Sequence, residues 1–337
     1  VIRGIAAVAS QPVASAAASA ALEAGGSAAD AVIAGFFAAA GADPGVLLAP
    51  AVALVAGAGA GARAFDGRAA QPGLGAVRPR GFVDDANIPP GARVAAPRSV
   101  PMLLLLHTYR GRATLPSLVK AGIAAAEAEG AKARATLIRR VGASGVLALR
   151  SPEAMRALIA VGGPVAGGAL SSHDLEEACP AEADAVTSAL ADDASVFTSP
   201  WAPSPSSPAQ AEVVLACDGR GAFAALAYVP AREGVLVPEL ELLLRPDAVP
   251  VRRGVTRVPP GAPLPAPAPV AIFHQKGGVW SVVGAPGSQA IDPARLAVLA
   301  GPAPAETSLA SLIDAASSRA PLALVSDGRS ARVVSGT

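Results

Sequence analysis

A chain of 337 residues with 27 basic against 26 acidic side chains and a net charge of +1 has no charge excess with which to capture nucleic acid or an anionic membrane. Alanine inflates the apolar fraction of 52%, and aromatics reach only 3%, so Leu, Val and Ala must fill the core of one large domain or two tightly joined ones. The apolar stretch 31–62 is broken by Asp43, Pro44 and Pro50 and reads as helix, turn and strand, not as a membrane span. His107, His173 and His274 are scattered, with no second ligand at metal spacing, so neither metal nor cofactor is expected. Cys179 and Cys217 lack a CxxC spacing, which favours two buried free thiols and leaves a disulfide as the alternative.

In chain order, alanine and leucine content predicts a helix over 13–23, stopped by Gly25-Gly26. Ser27 to Asp30 has the Ser-x-x-Asp capping pattern and opens a second helix over 28–40. A strand over 52–56 follows, then the Gly-Ala run 57–62, then a strand edge into Phe65. That run superficially fits a dinucleotide fingerprint, but no helical pattern opens behind it and Pro72 arrives too early. Residues 72–93 read as irregular; helices are expected over 100–107, 115–129, 131–149 and 152–160. Lys132, Arg134, Arg139 and Arg140 on one of them read as a solvated face, with no interleaved aromatic to suggest nucleic acid. Ser199 to Pro208 is a Pro/Ser-rich linker. Beyond it strands are expected over 212–217, 222–229, 239–244, 269–274 and 279–283, and helices over 293–300 and 307–316. The chain thus divides into a helix-rich part (1–198), the linker (199–208) and a strand-rich part (209–337).

Short motifs give this outline a likeness. Arg3-Gly4-Ile5-Ala6-Ala7, Gln11-Pro12-Val13-Ala14-Ser15 and Gly25-Gly26-Ser27-Ala28-Ala29-Asp30-Ala31 resemble the opening of the γ-glutamyltransferase family. Tyr109-Arg110-Gly111-Arg112 and the run Gly168 to Leu175 are similar to two further motifs of that family. Val1 leads straight into the first motif with no charged-then-apolar leader, and the compartment stays open. The resemblance implies an α+β fold, the four-layer αββα sandwich of N-terminal-nucleophile hydrolases, with both parts of the chain in one unit. It also implies self-cleavage that exposes a threonine, whose hydroxyl attacks a γ-glutamyl amide while its own amine takes the proton.

Counting back from Asp218-Gly219 puts Ala209 and Gln210 on the family's two threonines and Ala211 on its histidine. A methyl group can neither attack a carbonyl nor begin the acyl shift that starts self-cleavage. The family's acids for the substrate amino group would fall near Leu244-Arg245-Pro246-Asp247, where one acid survives. Its serine pair for the α-carboxylate would fall on Pro265-Ala266, which offer no side-chain donor.

Two pieces remain. Phe65-Asp66-Gly67-Arg68 is similar to the motif whose arginine forks onto the substrate carboxylate, with an ordinary ion pair as the competing reading of Arg68. Gly284-Ala285-Pro286-Gly287-Ser288 is similar to the turn whose amides hold the oxyanion, although Gly287 also suits a plain turn and Ser288 replaces a glycine. Substrate-binding candidates are therefore Arg68, Gly287 and Ser288, and no catalytic residue is assigned. A relocated nucleophile among Thr198, Ser199, Ser204, Ser206 and Ser207 is disfavoured by the intervening Pro208. The expectation is a γ-glutamyltransferase-like pseudoenzyme, an unprocessed single chain acting as scaffold, subunit or carboxylate binder. Its partners would be an active paralogue, further copies of itself or a glutamyl-type carboxylate ligand. The alternative is an active γ-glutamyl hydrolase or transferase, or related amidohydrolase, with an unconventional nucleophile.

Overall fold

The chain opens on β1 (Ala6–Ala9), α1 (Pro12–Glu23) and α2 (Ala28–Ala42) in a computed structural model that describes residues 4–76, 81–189, 194–201, 210–275, 278–288, 321–326 and 330–335. Pro12 sits in the first turn of α1, where its missing N–H costs nothing, and Gly25 at φ 88° ends that helix. Ser27 and Asp30 form a reciprocal capping box on α2, as their spacing predicts. Every residue of α2 except Ala42 is buried, so this helix is the spine of the core.

The hairpin β2 (Ala51–Gly57) and β3 (Ala60–Gly67) turns through Gly57, Ala58 and Gly59, all at positive φ. The glycine run is therefore a β-turn and not a phosphate cradle. Helices α3 (Ser99–Arg110), α4 (Leu115–Leu118), α5 (Lys120–Ala128), α6 (Lys132–Ser144), α7 (Pro152–Gly162) and α8 (Ser172–Glu176) follow. The helix expected over 115–129 is in fact two, broken at Val119. Helices α2 and α5 cross through glycine: a Cβ on Gly122 would lie 2.2 Å from the Phe37 carbonyl oxygen, and one on Gly41 2.0 Å from that of Gly122.

The strands β4 (Ala181–Asp184), β5 (Val186–Ala189) and β6 (Ser195–Thr198) precede the linker. After it come β7 (Glu212–Cys217), β8 (Ala222–Tyr228), β9 (Val235–Val237), β10 (Leu242–Leu244), β11 (Val270–Gln275), β12 (Val279–Gly284), β13 (Leu322–Ser326) and β14 (Ala331–Ser335). Glu239 and Leu240 belong to a 3-10 turn rather than a strand, because Glu241 adopts a left-handed backbone at φ 52°. The helices expected over 293–300 and 307–316 lie outside the described residues.

Two antiparallel six-stranded sheets form, ordered β1-β7-β8-β2-β3-β4 and β14-β13-β12-β11-β6-β5, beside a small β9-β10 ribbon. Both sheets mix strands from before and after the linker. Alternation along β7 sends Val214 and Ala216 into the core under the helices and Val213, Leu215 and Cys217 between the sheets. There they meet Leu54, Ala225, Ile272, Val282 and Leu324. On the helical side Phe36 packs edge-on against Phe37 and Tyr228, at 5.8 and 5.3 Å between ring centroids.

Two further sequence readings change. Arg134 does not share the solvated face of Arg139 and Arg140: it is 4% exposed, and its guanidinium donates to the carbonyls of Gly41 and Glu241. Burial holds its pKa below the usual arginine value, with Glu241 opposing. The cysteines are both free, but Cys179 is exposed and only Cys217 is buried.

Candidate functional site

The retained motifs lock to one another. Asp30 Oδ2 accepts from the Ser27 amide and hydroxyl and from the amides of Arg112 and Ala113, so the carboxylate that caps α2 also holds the loop after α3. Arg112 in turn reaches Asp218 at 3.4 Å, in the turn between β7 and β8. A second capping box repeats the device, with Asp174 accepting from Ser171 and from the distant amides of Gly73 and Leu74.

The head of β7 is where the resemblance puts the nucleophile. Ala209 itself, with Ser204, Ser206, Ser207 and Pro208, lies outside the described residues. Two positions on, Ala211 is buried, and its carbonyl accepts the Gly287 N–H at 2.8 Å. The turn 284–288 thus lies against the head of β7. Gly287 has φ 85°, which only glycine adopts without strain, and Gly284 lets β12 come close, since a Cβ there would lie 2.8 Å from Val213 Cγ2. The Ser288 amide donates to the Ala285 carbonyl at 3.1 Å, and the Ser288 hydroxyl is buried with no partner among the described residues. Both backbone donors of the turn are thus engaged within the protein.

Arg68 follows β3. Its Nε and Nη2 fork onto Asp66 at 3.0 and 3.1 Å, its amide donates to the same carboxylate at 2.9 Å, and its guanidinium lies 5.7 Å from the centre of the Trp201 ring. Asp66 is 2% exposed and also faces Arg98 at 3.9 Å; Arg98 donates to the Cys179 carbonyl. Burial lowers the pKa of Arg98, and Arg68 adds to that fall while Asp66 opposes it. The ladder Gly67–Ala51–Tyr228–Glu212 puts Arg68 at the same end of the first sheet as the head of β7. Three strand steps separate them, about 14 Å of backbone.

The other segments that the resemblance assigns to substrate also converge here. Leu264 N–H donates to the Ala69 carbonyl, so Pro265 and Ala266 run beside Arg68, and Ala69, Ala95, Ala248 and Leu264 form a small apolar cluster. Asp247 is bound to Arg245 at 3.0 Å; burial pushes its carboxyl above the usual range, with Arg245 opposing. The sequence did not reveal Asp66 as the filler of the Arg68 fork or Arg98 as its second cation. The two-residue spacing of Asp66 and Arg68 was the available signal for the first. Among the described residues no group of His, Cys, Asp and Glu could hold a metal ion, and no helix is long and apolar enough to cross a membrane.

Two stacked antiparallel sheets under a helical layer, with β7 inside the first sheet and its head closed by a glycine turn, define the N-terminal-nucleophile-hydrolase fold. No family model matches this sequence, and no curated protein is significantly similar to it. Solved structures are similar in shape. Cephalosporin acylase from Bacillus halodurans superposes with a TM-score of 0.66 at 15% identity, over 81% of this chain and 75% of that one. The protein LmbA2991HD gives 0.64 at 15% identity, over 85% and 78%. A γ-glutamyltranspeptidase from Pseudomonas nitroreducens gives 0.49 at 16% identity, over 58% and 71%.

Proposed function

We propose that this chain is a γ-glutamyltransferase-like protein without the usual γ-glutamyl transfer or hydrolysis, persisting as one uncleaved chain that serves as scaffold, subunit or carboxylate binder. The observation that carries this reading is the hydrogen bond from Gly287 to the Ala211 carbonyl. An oxyanion needs a backbone donor aimed into open space, and this one is already engaged at the place where chemistry would occur. The sequence supports the same reading with alanine in the nucleophile's seat at Ala209 and with Pro265 and Ala266 in place of hydroxyls. Asp66 takes the inner edge of the Arg68 fork, leaving its outer N–H groups for a ligand.

Intact mass of freshly made protein under denaturing conditions tests the reading. One species of 32.9 kDa with no release of the aniline from a γ-glutamyl anilide is expected. Two species summing to that mass would overturn it, and the first residue of the smaller would name the nucleophile. Calorimetry with glutamate divides the roles: heat lost in Arg68→Ala assigns a carboxylate binder, and no heat assigns a scaffold or subunit.

A further inference from the structure

Next to the segments that carry Arg68 and Asp247, residues 249–260 line an open cleft of about 470 Å³ together with 71–76, Phe82, Ala92 and 167–169. That volume is in the range of small-molecule sites. Its wall is apolar, with Pro72, Phe82, Ala92, Val251, Val258 and Pro260 among the lining residues. The wall is also held in place. The Gln71 carboxamide clamps Val249 from both sides, donating to its carbonyl and accepting from its amide at 2.9 Å each. Phe82 exchanges backbone hydrogen bonds with Val251 and Arg253, and Asp174 fixes Gly73 and Leu74.

Among the described residues the lining contains one cation, Arg257, whose side chain is exposed at the rim. Its neighbour in the loop, Arg252, pairs with Asp85 at 2.9 Å, and Arg68 is forked onto Asp66. Arg257 has no ion pair or hydrogen bond among the described residues. A preformed apolar trough with an unpaired guanidinium on its wall matches a ligand that is apolar along its length and anionic at one end.

We infer that this cleft binds an apolar monocarboxylate, with its hydrocarbon chain against Phe82, Val251 and Val258 and its carboxylate on Arg257. The apolar wall supplies the contact for the hydrocarbon chain, and the exposed guanidinium supplies the opposite charge for the carboxylate. The inference does not rest on the inert reading, since no residue of the cleft belongs to the head of β7.

Calorimetry with decanoate, below its micelle concentration, tests it on the full chain. Decanoate is expected to bind, 1-decanol and glutamate at least tenfold more weakly, and Arg257→Gln to weaken decanoate at least tenfold. Ala92→Phe, which fills the cleft, is expected to abolish binding. Circular dichroism establishes that each variant is folded; if Ala92→Phe is not, Arg257→Gln and the decanol comparison decide. Absence of decanoate binding, unchanged affinity in Arg257→Gln or in folded Ala92→Phe, or preference for glutamate or decanol would overturn the assignment.

Discussion

At the scale of single residues, buried polar groups fall into two kinds: those that hold the fold and those that a site would use. Asp30 and Asp174 are of the first kind, each tying a helix start to a loop far away in sequence. Asp66 takes one edge of the Arg68 guanidinium and leaves the other. Cys217 is buried, and desolvation pushes its thiol from 9.0 up to about 11. Between those values the unfolded chain gives up the proton before the folded one does. The unfolded state then binds fewer protons, so stability falls as pH rises through that window. Chemical unfolding at pH 8 and pH 10.5 should show this fall, and Cys217→Ala should flatten it. Iodoacetamide should label exposed Cys179 in the native protein and Cys217 only on unfolding.

Elements are decided by packing more than by propensity. The crossing of α2 and α5 admits no side chain at Gly122 or Gly41. Gly122→Ala should therefore cost on the order of 2 kcal/mol in urea unfolding, although alanine is the better helix former. A gain in stability would mean that the helices separate freely. Which elements were legible in the sequence follows the same division. The Ser27–Asp30 capping box and strands β7 and β8 announce themselves locally, as does the glycine hairpin, whereas the Ser171–Asp174 box emerged only from the structure. Ala6–Ala9, with Val8 as its single strand former, and Ala181–Asp184, with none, are strands because β7 and β3 offer them an edge. Arg134 reads as a surface residue until the carbonyls of Gly41 and Glu241 are brought to it by tertiary structure.

For the molecule as a whole, the resemblance in sequence is strongest where residues hold the fold together. The Ser27–Asp30 box, the loop at Arg112 and the turn at Asp218 form one connected set. The resemblance is weakest where they would touch a substrate. That is why the architecture was legible from short motifs, while the candidate site rested on isolated residues such as Arg68 and Gly287. The Arg257 cleft left no signal, since its walls come from short stretches scattered along the chain with no periodicity to read. Because both sheets interleave strands from either side of the linker, neither part has a complete core. Residues 1–198 expressed alone should precipitate, and co-expression with residues 209–337 should give a soluble two-chain complex. A soluble, cooperatively melting 1–198 fragment would show that the first part folds by itself.

The place of β7 and β8 in the first sheet, between β1 and β2, also sets a timetable for synthesis. Until Tyr228 has left the ribosome, the first-made strands lack their neighbours and the wholly apolar face of α2 lacks Val214, Leu226 and Tyr228 to cover it. Roughly two thirds of the chain must wait in an unfinished, aggregation-prone state, one that holdase chaperones recognise. The cell's demand from this protein would therefore fall on chaperone capacity during translation, and slowing the ribosome before the linker would lengthen that exposure rather than help folding.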